Sequence, residues 1–359
     1  YWNASRAIPA GPYEAVITEF PFFTFVYADL HAHLIAMPLA FVSLALALAV
    51  VKGAERPEGP EKAIWRGALS ALPGLLLWSL AIGAMRTTNT WDVPPHLIVV
   101  FGALVIAEGT RAEFTRAELT RPEASPAQLL GRKQGGSRSV PRAVASVAWQ
   151  FGLVFLLSWT VLYQPFWASY GSFYNSTAVW TGTRTVPWAY MVVHGLFLFA
   201  IISYLSARVI GDWRQDLLLR RLGLTLHYRG RKRRLREAAK IVGVRGVPVS
   251  NMVWVALALL ILIALFFLVP GLISFTQPKA DVVEVGAYTY RGLAVFALGL
   301  PVALLGLLLL FRPSISSTER LWAYLVLLGL AMSLGVEVIV LQGDIGRMNT
   351  VFKFYLQVW

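Results

Sequence analysis

Leu34-Ile-Ala-Met-Pro38-Leu-Ala-Phe41-Val-Ser43-Leu-Ala-Leu-Ala47-Leu-Ala-Val-Val51 is the stretch that decides the fold. It holds no charged side chain, and Ser43 is its one polar residue. The hydrocarbon core of a bilayer is about 30 Å thick and takes roughly 20 helical residues to cross. Polar groups bracket the run, with His31 and His33 before it and Lys52 after it. That pattern predicts a transmembrane helix.

Working outward, comparable runs recur along the chain. They are predicted at Gly67–Met85, Pro94–Glu108, Val144–Tyr163, Pro187–Val209, Met252–Phe275, Leu293–Phe311 and Leu321–Leu341. With Leu34–Val51 this gives about eight spans, of which Pro94–Glu108 is short for a bilayer. Pro94-Pro95 opens the third run, where the first turn of a helix tolerates a missing amide proton. The expected fold is therefore an all-α, polytopic transmembrane helical bundle. Composition agrees: the 359 residues are 57% hydrophobic and 14% charged, against about a quarter charged in soluble domains. There is no cysteine, which excludes disulfides, thiolate metal sites and cysteine nucleophiles.

The charges lie in alternate joints. Segments 52–66, 109–143, 208–250 and 312–320 hold 25 of the 32 Lys and Arg residues. The other 7 are Arg6, Arg86, Arg184, Lys279, Arg291, Arg347 and Lys353. Such alternation is the positive-inside pattern. It puts both ends outside and predicts a multi-pass plasma-membrane protein whose basic cytoplasmic loops are 109–143 and 210–250. The first of these has the composition of a mobile linker. The second contains Arg229-Gly-Arg-Lys-Arg-Arg234, which suits anionic headgroups. It lacks the interleaved aromatics of a single-strand binder, so no nucleic acid is expected. Residues 1–359 read as a single transmembrane domain and as a fragment of a longer protein, since Tyr1 opens without a leader and Trp359 ends an apolar stretch.

The remaining chemistry collects in the outer joints. Glu19 opens a segment that runs through Asp29-Leu-His31-Ala-His33 into the first span. A carboxylate and two imidazoles there suit a general base, a phosphate contact or a divalent metal ion held by His31 and His33. The alternative is a solvated aromatic belt. Asn89-Thr-Trp91-Asp92-Val-Pro-Pro-His96 joins two spans; Asp92 is either a helix cap or part of an anion site. Asp344, Arg347, Asn349, Thr350 and Lys353 form a third group. If that segment is helical, Arg347, Thr350 and Lys353 drift round one face beside Asp344, a pattern that suits a diphosphate or phosphodiester. Glu337, placed inside the eighth span, is either functional or the partner of Arg347 in a structural ion pair. The aromatic loop Tyr163–Tyr174 fits stacking on sugars or seating in the headgroup layer. His194 and His227 read as packed or interfacial. No glycine-rich phosphate loop and no serine nucleophile elbow occur.

Glu19-Phe-Pro-Phe-Phe, Asp29-Leu-His-Ala-His33, Asn89-Thr-Trp91-Asp92 and Arg347-Met-Asn-Thr-Val-Phe-Lys353-Phe-Tyr-Leu-Gln-Val-Trp359 together resemble the YYY-domain family. These are multi-pass bacterial and archaeal membrane proteins whose domain has no assigned function. Ala32 stands where that family's proline is expected. The family is in turn similar to the GT-C class of membrane glycosyltransferases, which use polyprenyl-phosphate sugar donors on the outer face. The resemblance implies a lipid-linked sugar transferase with a polyprenyl-phosphate lipid as partner. Asp29 is then the base, aided by Glu19 or a metal at His31 and His33, with Asp344 as a further acid. Arg347 and Lys353 then meet the leaving phosphate; Asn349, Asn89, Asp92 and Glu337 position substrate. This reading requires Asp29, His33, Asp344 and Arg347 to share one extracytoplasmic cavity. The alternatives are a lipid or anion transporter or flippase, and a structural subunit of a membrane complex.

Overall fold

A computed structural model describes residues 31–55, 64–119, 140–170, 176–180, 184–221, 282–312, 315–341 and 347–359. In chain order these form α1 (Ala32–Gly53), α2 (Ile64–Thr88), a 3-10 turn (Thr90–Asp92), α3 (Val93–Leu119), α4 (Val140–Leu156), a π-turn (Leu157–Val161) and α5 (Gln164–Trp167). β1 (Thr177–Val179), α6 (Pro187–Arg221), α7 (Val282–Leu310), α8 (Ser317–Gly335), β2 (Ile339–Leu341) and α9 (Arg347–Val358) follow. The fold is an all-α membrane bundle. Five of the described helical segments are long and apolar enough to cross a bilayer: Ala32–Gly53, Thr90–Glu113, Pro141–Val161, Pro187–Arg208 and Leu293–Leu310. The span expected at Met252–Phe275 lies outside the described residues.

The described residues fall into two compact units. The N-terminal unit takes its described residues from 22–173 and 314–325, the C-terminal unit from 174–313 and 326–359.

In the N-terminal unit α1 packs on α2 and α3. The buried face of α1 is His33, Ala36, Ser43, Ala47 and Val51, mostly small residues at helical spacing. Small side chains let backbones approach, which is how apolar helices hold together without help from water. Trp78 of α2 is fully buried there, and its indole N–H donates to Ser43 Oγ at 2.9 Å. Gly102 of α3 does similar work, because the Tyr324 ring occupies the space a Cβ would need. The Tyr324 hydroxyl then donates to the Ile98 carbonyl at 2.7 Å. Gly102→Ala is expected to cost about 1–3 kcal/mol, as overpacking does. Unfolding of the purified protein in detergent measures it; a change within experimental error contradicts the packing.

α3 runs on to Leu119, past the predicted end at Glu108. Charges near that end are satisfied within the helix and by a neighbour: Arg111 pairs with Glu108 at 2.7 Å, and Ser146 donates to the same carboxylate at 2.9 Å. The first residues of the expected linker are therefore helical. At the start of α8, the Glu55 carboxylate accepts from the Ser317 amide at 3.1 Å and from its hydroxyl, satisfying the free end of the helix.

In the C-terminal unit α6 and α7 pack together around Tyr190, Leu198, Val295, Val302, Leu330, Leu334 and Val338. α8 stops at Gly335 rather than continuing to Leu341. Residues 339–341 are instead a strand, antiparallel to β1 with Ala178 opposite Val340. The Trp180 amide extends the ribbon by donating to the Val338 carbonyl at 2.7 Å. Large apolar side chains such as Phe41, Leu196 and Phe199 are 64%, 76% and 72% exposed. On a protein in water that would be costly; in lipid it is the expected outer surface.

Candidate functional site

The N-terminal unit gathers polar groups where α2 turns into α3. The Thr87, Thr88 and Thr90 hydroxyls bond back to the carbonyls of Ala84, Ala84 and Met85, and Arg86. Those bonds satisfy the last acceptors of α2 and let the chain turn without leaving bare carbonyls. Asn89 then donates its side-chain amide to Asp92 Oδ1 at 2.7 Å, with Asn89 8% and Asp92 4% exposed. His96, one turn into α3, is buried with no hydrogen-bond partner for Nδ1. The same 3-10 turn touches α1. His31 precedes α1 in extended conformation and is exposed, whereas His33 is buried. Their rings lie 5.3 Å apart between centres. A divalent ion there needs further ligands, and among the described residues no group of three or more His, Asp or Glu is placed to hold one. Glu19 and Asp29 lie outside the described residues.

The C-terminal unit centres on a buried ion pair. Arg347 Nη2 donates to Glu337 Oε1 at 2.6 Å and to Thr185 Oγ1 at 2.8 Å, while its Nε donates to the Val336 carbonyl at 3.1 Å. The other carboxylate oxygen, Glu337 Oε2, accepts from the Thr185 amide at 3.0 Å. Glu337 is 0% and Arg347 4% exposed. Trp180 lies along the guanidinium, 6.0 Å from it to the ring centre. One arginine thus ties the start of α9 to the turn after α8 and to the segment before α6. Thr350 adds another tie by accepting the Leu341 amide at 3.0 Å.

The Glu337–Arg347 pair, open as an alternative in the sequence, is what the structure holds. Glu337 sits in the turn between α8 and β2, its amide donating to Leu334 O at 3.0 Å, rather than within a span. The helix expected over Arg347, Thr350 and Lys353 is α9. The first two face inward, and Asn349 and Lys353 are half-buried. Asp344 lies outside the described residues, and His33 and Arg347 belong to different units.

Beneath the ion pair the Tyr355 hydroxyl and His194 Nε2 are buried without hydrogen-bond partners. The His194 ring packs 4.7 Å from Tyr190 and 4.5 Å from Tyr355 between centres. The Tyr190 hydroxyl shares a 2.9 Å bond with Ser333. Burial first, and the Glu337 carboxylate second, hold the Tyr355 phenol well above its ordinary range. It stays neutral at any physiological pH.

Thr185 and Tyr190 escape sequence reasoning, and His96 and Tyr355 lie in segments the sequence singles out without being given a part there. Thr185 meets Arg347 from 162 positions away, and no local pattern marks it. Tyr190 carries no signal beyond its composition. The packed reading of His194 holds, since it is 3% exposed among aromatic rings.

Over its whole length, residues 1–359, the chain matches the profile of DUF2298, a family described as uncharacterized membrane proteins. The chain belongs to the DUF2298 family. No curated protein and no solved structure matches it. Membership of DUF2298 fits the five apolar helices able to cross a bilayer and the lipid-facing surface. It supports a membrane location for the chain.

Proposed function

We propose that this DUF2298 chain is the membrane part of a glycosyltransferase that takes a sugar from a polyprenyl-phosphate donor on the non-cytoplasmic side. One observation carries the reading. In each unit a set of buried ionisable and amide groups lies at helix ends that the charge pattern assigns to the outer side, Asn89, Asp92 and His96 in one and Glu337 and Arg347 in the other, while Glu108, Gln150 and His194 are buried elsewhere. Burial of charge at membrane depth is costly enough that such groups usually serve a substrate path or a fixed network. The resemblance to YYY-domain proteins, and through them to GT-C enzymes, supplies the reaction class.

In this reaction the acceptor hydroxyl oxygen bonds to the anomeric carbon, and the bond from that carbon to the phosphate oxygen breaks. The hydroxyl proton passes to a carboxylate, and polyprenyl phosphate leaves with its negative charge. Asp29 is the proposed base, with Glu19 and Asp344 as further acids. His31 and His33 are the residues that would hold a divalent ion with Asp29, and such an ion supplies Lewis acidity when bound. Asn89 and Asp92 present a rigid amide–carboxylate pair for positioning substrate hydroxyls. Lys353 and Asn349, half-buried on α9, are the proposed phosphate contacts. Arg347 and Glu337 neutralise one another, so their proposed part is to fix α9.

The test is reconstitution of the purified protein with radiolabelled polyprenyl-phosphate sugars and extracted membrane acceptors. Time-dependent release of polyprenyl phosphate is expected. A folded protein that releases none from any hexose or pentose donor contradicts the reading. Counter-ion-dependent uptake abolished by Glu337→Gln would instead point to a transporter, and fixed-stoichiometry copurification to a structural subunit.

A further inference from the structure

Arg86 closes α2 in the N-terminal unit. Its guanidinium carbon lies 3.7 Å from the ring centre of Trp159 and 3.6 Å from that of Trp167. The cation therefore lies over the faces of two indole rings. Its Nη1 donates to the Trp159 carbonyl at 2.6 Å. Trp159 lies within the π-turn Leu157–Val161, whose extra residue resets the direction of the chain. The segment is pinned again one turn later. The Tyr163 ring fills the space above Gly83, and its hydroxyl donates to the Leu80 carbonyl at 2.8 Å.

A basic residue in the last turn of a helix usually just complements the helix dipole. That role needs no pair of indole rings and no contact 73 positions away. The charge balance is also unusual. None of α2, α4, the π-turn or α5 contains Asp or Glu. Asp92, a short way along the chain, accepts from Asn89. The Arg86 Nε–H is buried without a partner, and no described residue accepts from Nη2. The result is a stacked planar cation with no carboxylate partner among the described residues, its Nη1 engaged, its Nε–H buried and its Nη2 unused. Around it Trp159, Phe166 and Tyr170 are 37%, 37% and 48% exposed, forming an aromatic rim of the kind that sits at headgroup level. The unused Nη2 of a charged guanidinium suits a phosphate oxygen, and stacking on indole lowers the entropy the side chain loses on binding.

We propose that Arg86, stacked on Trp159 and Trp167, is a binding site for a phosphate group, borne by a membrane lipid or free in solution. The proposal does not depend on the transfer reaction.

The experiment uses the full chain in a neutral detergent, titrated with dansyl-phosphatidylglycerol, dansyl-phosphatidylcholine and inorganic phosphate. Energy transfer from tryptophan reports the lipids, and displacement of bound lipid reports the free ion. Preferential binding of phosphatidylglycerol is expected, weakened at least tenfold by Arg86→Met. Displacement by millimolar phosphate assigns the site to the free ion as well; resistance assigns it to lipid. Arg86→Lys keeps the charge but loses the flat fork, so threefold or greater weakening is expected, and this variant decides the matter if Arg86→Met does not fold. Trp167→Leu leaves the cation but loosens it, and an intermediate loss is expected. Unchanged affinity in Arg86→Lys together with Trp167→Leu, or no binding of either probe by the unaltered protein, overturns the proposal.

Discussion

Arg347→Met is expected to destabilise the protein by about 3–5 kcal/mol, the usual consequence of leaving a buried charge without its partner. Glu337 is 0% exposed, and the substitution strips from its carboxylate the guanidinium at 2.6 Å. The same change frees the Val336 carbonyl and the Thr185 hydroxyl, two further ties of that side chain. The double variant Glu337→Met with Arg347→Met is expected to recover part of the loss, because removing both charges removes the desolvation they cost each other. Denaturant unfolding in mixed micelles measures all three proteins. A loss below about 1 kcal/mol for Arg347→Met, the range of exposed pairs, would show that the pair is open to solvent.

Asp29→Asn is expected to lower sugar transfer by about 100- to 10,000-fold, the span general bases contribute. Asparagine keeps the shape and a hydrogen-bonding oxygen but cannot take a proton. Membrane insertion and melting temperature are expected to be unchanged, which separates lost chemistry from lost structure. Undiminished transfer would remove Asp29 from the role of base and pass it to Glu19 or Asp344.

Most of the helical layout is legible in the sequence because the signal is local. An uncharged run such as Leu34–Val51 has one low-energy form in lipid, and α1 covers it with two residues to spare at each end. The misreading at the end of α8 shows the limit. Val336-Glu-Val-Ile-Val-Leu341 is apolar enough to pass for the last turns of a span. Its last three residues, Ile339–Leu341, instead pair with Thr177–Val179, a partner far away in sequence, and apolar content alone cannot separate the two outcomes.

The site divides in the same way. Glu337 and Arg347 are ten positions apart, close enough to be considered together from the sequence. Thr185, which bonds to both, comes from the segment before α6 and is visible only in the fold. Arg86 and its two tryptophans are likewise joined by tertiary structure alone. Asn89 and Asp92 lie in one short segment that the sequence singles out, but the bond between their side chains is visible only in the fold.

The outward-facing chemistry rests on the side of the membrane each joint occupies, and the cysteine-free sequence allows a direct measurement. Thr177→Cys in β1 and Lys52→Cys in the last turn of α1 are both at exposed positions. In intact cells a membrane-impermeant maleimide should label Cys at 177 and spare Cys at 52 until the membrane is opened. Labelling of position 52 from outside, with 177 protected, would put the Glu337–Arg347 end of the bundle in the cytoplasm and contradict a site on the outer face.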